Sequence, residues 1–140
     1  MSLEVIVYIL TALAGVVVVL TRLRLRGEEG AGQYRLGTGL LNLHTAAGGL
    51  ALVVWVVFLV ADEDTAVGGS LAGIIALALW WVAVIAGLLL LVRWLPSRGR
   101  HSTGVREDRW SEGPGLSILA HVGLLVGVLV FTFAYLIAAV

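Results

Sequence analysis

An all-α, integral membrane four-helix bundle running up-down-up-down is the fold this sequence predicts, and three observations carry that expectation. Hydrophobic residues make up 60% of the 140 and charged residues 13%, with a mean hydropathy of +1.04, whereas a soluble domain is about half apolar and about a quarter charged. Four apolar stretches, roughly 3–20, 36–61, 71–95 and 116–140, each approach or exceed the ~20 residues that cross a bilayer core. The stretches consume nearly the whole chain, so residues 1–140 read as a single transmembrane domain with no room for a soluble one.

The first stretch contains an Ala12-Leu13-Ala14 triplet that resembles a cleavage site. It lacks a basic leader, however, and continues apolar through Val16 to Leu20, so it reads as a retained helix. A flexible polar turn at 27–33 separates it from the second stretch. The third ends at Pro96, Gly99 and Gly104, residues that break helices. Ser111-Glu112-Gly113 leads into the fourth, with Pro114 in its first turn, where a missing N–H costs nothing. Trp94 and Trp110 read as interfacial anchors.

Charge sets the orientation. All nine basic residues are arginines: Arg22, Arg24, Arg26 and Arg35 lie around the first connection, and Arg93, Arg98, Arg100, Arg106 and Arg109 around the third. The second connection carries Asp62, Glu63 and Asp64 and no basic residue. Positive charge stays on the cytoplasmic side. A multi-pass protein of the cell membrane is therefore expected, with both termini outside and both Arg-rich loops in the cytoplasm. The lipid bilayer is the expected partner and nucleic acid is not. Without cysteine the chain has no disulfide, no thiolate ligand and no Cys-ligated iron–sulfur cluster. It has no P-loop, GxSxG or HExxH signature either.

Function in a membrane chain concentrates at buried polar groups. No Asp, Glu, Lys or Arg lies deep in a span, which argues against a carboxylate-type proton relay. The polar residues within spans are Tyr8 and Thr11 in the first, Asn42, His44 and Thr45 in the second, and His121, Thr132 and Tyr135 in the fourth. Only the histidines are strong metal ligands. His44 lies 17 residues before Ala61 and His121 lies 19 before Val140, a depth difference of about 3 Å at 1.5 Å per residue. The second and fourth helices of an up-down-up-down bundle run parallel and lie diagonally. That gap suits two imidazoles with a flat cofactor between them, and Gly37, Ala47 and Gly48, within one or two turns of His44, leave room beside it. The bland counterpart is that such glycines only let helices approach. A lone zinc ion would want three or four protein ligands. His101, among the loop arginines, reads as a solvated histidine.

This layout resembles the haem-bearing four-helix bundle of membrane b-type cytochromes, in which histidines on the second and fourth helices ligate haem iron. In the respiratory and photosynthetic cytochrome b family each of those helices carries two histidines about fourteen residues, some four turns, apart. Here the positions fourteen on are Phe58 and Tyr135, so the resemblance implies one haem b, the one nearer the cytoplasm, held by His44 and His121 with Gly48 beside it. Ligation by two imidazoles suits one-electron transfer. It implies electron exchange with a quinone in the bilayer or a redox protein, and makes Arg35 the charge partner of the haem propionates, ahead of Arg93 and Arg98. The alternative is a non-catalytic accessory or assembly subunit of a larger membrane complex, with histidines that only pack; the protein partners expected are further copies of the chain or the other subunits of such a complex. A small transporter is disfavoured by the lack of buried charge.

Overall fold

The computed structural model describes residues 1–26, 38–94 and 114–140, and there the chain is an all-α bundle of four helices, each long and apolar enough to cross a membrane. Helix α1 spans Leu3–Arg26. The Ser2 hydroxyl accepts the Val5 amide at 3.3 Å and Glu4 lies in the first turn, which suits a helix N-terminus. The helix runs about two turns past the apolar stretch at 3–20. Leu and Arg are both strong helix formers, so leaving the apolar region does not end it.

Helix α2 is Thr38–Val60 and α3 is Ser70–Trp94, close to the predicted spans. Between them Thr65 organises a tight turn. Its hydroxyl donates to the Asp62 carbonyl at 2.7 Å and accepts the Gly68 amide at 3.0 Å. A Cβ on Gly68 would run into the Asp62 carbonyl oxygen, so only glycine fits there.

Helix α4 begins at Pro114, as expected, but ends at Leu136, four residues short of the predicted 140. The cause is local. Ala138 adopts φ 53°, and the amides of Ala138 and Ala139 turn back to the carbonyls of Tyr135 and Ala134 at 3.1 and 2.9 Å. These are the two bonds of a Schellman ending. Hydropathy does not register such a stop, because the residues beyond it remain apolar.

The helices pack in a ring, α1 against α2, α2 against α3, α3 against α4 and α4 against α1, with α2–α3 the most extensive contact. Helices α2 and α4 therefore form a diagonal, as the up-down-up-down reading requires. Helix α3 is the most enclosed, with 50% of its apolar window buried against 22–28% for the others. Outward-facing Val60, Leu71, Val92 and Leu119 are well exposed, which suits contact with acyl chains. The half of the bundle toward the acidic turn is filled by aromatic rings: Trp55, Phe58, Trp80, Phe131 and Tyr135, with neighbouring centroids 5.1–5.9 Å apart. Arg35, Gly37, Arg98, Arg100, His101, Arg106, Arg109 and Trp110, and the side chain of Trp94, lie outside the described residues.

Candidate functional site

His44 on α2 and His121 on α4 meet across the diagonal, their ring centroids 6.1 Å apart and their planes inclined by 32°. Both are buried, at 0% and 8% exposure. The equal depth counted from sequence thus becomes direct proximity.

The protonation of each ring follows from its neighbours. His44 Nδ1 lies 2.9 Å from the Ala83 carbonyl on α3, and His121 Nδ1 lies 2.7 Å from the Ser117 carbonyl one turn back on its own helix. A carbonyl oxygen only accepts, so each Nδ1 carries the ring proton and each Nε2 presents a lone pair. This is the second-sphere arrangement that fixes the orientation of a ligating histidine and raises its basicity. Both Nε2 atoms are buried without a hydrogen-bond partner. Leaving a buried polar atom unpaired costs ~1–3 kcal/mol, and two such atoms lie on these neighbouring rings.

The other polar residues of the spans contrast with this pair. Tyr8 donates to the Leu59 carbonyl at 3.2 Å, Thr11 to the Val7 carbonyl at 2.8 Å, and Trp55 Nε1 to the Thr11 hydroxyl at 3.1 Å. Asn42 accepts from Arg22 at 3.0 Å, Thr45 donates to the Leu41 carbonyl at 2.9 Å, and Tyr135 to the Ser70 carbonyl at 2.8 Å. Trp81 Nε1 donates to the Thr132 hydroxyl at 3.3 Å, and that hydroxyl donates to the Val128 carbonyl at 2.8 Å. Besides the two imidazole atoms, only Trp80 Nε1 is buried and unpartnered among the described side chains. Its indole packs on Phe131 in the aromatic half.

Helix α3 supplies two parts of the site that hydropathy did not reveal. Ala83 orients His44 through its carbonyl. Gly87, one turn on, lies against both rings: a Cβ there would stand 2.9 Å from His121 Cδ2 and 3.1 Å from His44 Cε1. Gly48, expected beside the cofactor, instead faces α1, where a Cβ would come 2.8 Å from Val18 Cγ2. Its bareness serves the approach of α1 to α2.

A second layer repeats the plan. Phe58 and Tyr135, fourteen residues beyond the two histidines, also meet across the diagonal, with centroids 5.9 Å apart. Gly73, fourteen residues before Gly87, is the bare α3 position against that pair: a Cβ there would lie 2.5 Å from Tyr135 Cε2 and 3.1 Å from Phe58 Cε2. Three helices thus carry the same fourteen-residue step, and this was readable in the sequence as a glycine on α3 matching the ring positions on α2 and α4.

The site can be tested against a haem from these observations. Two metal–imidazole bonds of ~2 Å, with about 1 Å from each nitrogen to its ring centre, would put ring centres ~6 Å apart with both Nε2 atoms turned to the metal, and the observed separation of 6.1 Å has room for that. The donor set is two neutral imidazoles. Among the described residues no group of three or more His, Cys, Asp or Glu gathers, so the described side chains at this site are two imidazoles, fewer than the three or four ligands a bare structural metal would want. The residues fit the group. No protein-family model, curated protein or solved structure matches the chain.

Proposed function

We propose that this chain is a small integral membrane b-type cytochrome that carries electrons through one haem held between His44 and His121. The observation that supports the reading is the pair of buried, unpartnered Nε2 lone pairs on facing imidazoles 6.1 Å apart. Held by His44 and His121, the haem would supply reversible one-electron chemistry.

The chain's own residues do the rest. Ala83 and Ser117 hold the Nδ1 protons, so both imidazoles keep the tautomer that ligates through Nε2. Gly87 leaves the space that any side chain would take. Apolar walls exclude water. The aromatic packing at Phe58 and Tyr135 occupies the second layer, which makes one haem the stoichiometry of the reading. The redox partner is a quinone within the bilayer or a redox protein at the Arg-rich face. That face is cytoplasmic in a cell-membrane protein with both termini outside, and Arg35 is the propionate partner there.

The accessory-subunit reading draws on one observation, the His44–Ala83 bond, which ties α2 to α3 without any ligand. It leaves both Nε2 atoms unexplained. Haem content separates the two. His44→Ala and His121→Ala are each expected to lose low-spin haem while the detergent-solubilised protein keeps its helical circular dichroism. Equal haem content in both variants and the parent would remove the ligand assignment.

A further inference from the structure

We propose that the groove between α1 and α4 is the slot through which a planar tetrapyrrole slides from the bilayer onto His44 and His121, with α1 as its movable wall. This rests on the haem reading above. The groove holds about 430 Å³ and is walled by α1 from Leu10 to Thr21 and by α4 from Leu116 to Gly127, with Leu90 and Leu91 of α3 behind. That volume lies in the ~300–1,000 Å³ range of small-molecule and cofactor sites.

Two independent observations choose the occupant. His121 stands in the groove wall, 8% exposed, and its Nε2 has no partner. The groove therefore runs along a residue whose metal-binding atom lies buried just behind its wall, and not merely along apolar surface. Gly123 and Gly127 also line it, and a Cβ on either would meet nothing within 4 Å. They differ from Gly48, Gly73 and Gly87, each of which has a side chain pressed against it. Their bareness is not used by any helix contact and suits a flat ring system lying along α4.

The α1–α2 and α2–α3 seams are closed. Between α1 and α2, Val18 stands over Gly48, and Leu52 lies 3.2 Å from a Cβ placed on Gly15. Helices α2 and α3 share the most extensive contact in the bundle, and Gly87 abuts both imidazoles. Toward the acidic turn, closely packed, mutually tilted aromatic rings fill the core. A rigid plate some 10 Å wide cannot thread any of these without unpacking them, whereas along the groove only α1 needs to yield.

The absence of cysteine makes the test clean. Leu20→Cys with Leu116→Cys places one thiol on each wall, to be joined by a bis-maleimide whose spacer contains a disulfide. Haemin uptake by the cofactor-free, full-length protein is followed in detergent by its Soret band. The α1–α4 tether is expected to abolish uptake on the timescale at which the untethered protein fills, and cleavage of the spacer to restore it. A tether of equal length between Val57→Cys and Ile75→Cys, across α2 and α3, is expected to leave uptake unchanged. Gly123→Leu fills open space and displaces nothing, so it is expected to slow uptake without lowering thermal stability. Unchanged uptake in the α1–α4 tether and in Gly123→Leu overturns the slot but leaves the haem reading standing, as does equal slowing by the α2–α3 tether. Failure of the untethered protein to take up haemin overturns both, and points to an acyl chain as the groove's occupant.

Discussion

At the scale of single residues, the site depends on which imidazole nitrogen is left bare. Two backbone carbonyls claim the Nδ1 protons, so both Nε2 atoms stay available in a place where water cannot reach them. Gly87 is the residue most sensitive to change. An added methyl would stand 2.9 Å from His121 Cδ2, and neither ring can swing away without giving up its carbonyl. Gly87→Ala is expected to weaken haem binding by about 1–3 kcal/mol of overpacking, roughly 5- to 150-fold in Kd, as a haemin titration would show. Gly73→Ala meets Tyr135 and Phe58 in the other layer. It should lower the Tm by a similar overpacking cost while leaving haem affinity unchanged. An equal loss of haem from both variants would mean that the α3 glycines support only the bundle. The histidines were legible in sequence because depth is a count along a helix. Gly87 was legible only as a spacing, fourteen residues from Gly73, because hydropathy does not say which face a glycine takes. Gly48 looked like a cofactor neighbour because it lies one turn from His44, yet α1 crosses at that point and Val18 occupies the space.

At the scale of elements, the four spans were legible because a bilayer demands a fixed length of apolar chain. Their ends were less so, because other forces set them. Helix α1 continues through Arg22 to Arg26 on helix propensity, and α4 stops at Leu136 on a backbone motif. That motif yields its own test. Ala138 sits in the left-handed region at φ 53°, where a Cβ is crowded and glycine is at ease. Ala138→Gly is expected to raise stability by about 0.5–1 kcal/mol, seen as a higher melting temperature in detergent. A drop would show that the ending is not held in this conformation. Helix α3 was the least informative in sequence, having no strongly polar residue in its middle. It is nonetheless the most enclosed helix and the backplate of both ring layers. Its contribution is made by a carbonyl and by missing side chains, neither of which marks composition.

At the scale of the whole molecule, the chain has two unlike halves. Toward the acidic turn, aromatic rings fill the core and their polar atoms, Trp80 apart, are paired. Toward the Arg-rich ends, two histidines meet with both Nε2 atoms unpaired beside an apolar groove. In the orientation proposed from the arginine asymmetry, the histidine half would lie near the cytoplasm. With no native cysteine to interfere, Asp64→Cys in intact cells should react with a membrane-impermeant maleimide, and Arg100→Cys only after permeabilisation; the reverse pattern would invert the orientation. The central claim is that the paired imidazoles hold haem, and its most direct test is a dithionite-reduced minus oxidised visible spectrum of the protein purified in mild detergent after expression with haem supplied. A sharp α band of six-coordinate low-spin b haem, at one haem per chain, is the predicted result. A featureless difference spectrum despite the haem supply would contradict the claim and leave the histidines as packing residues of an accessory subunit.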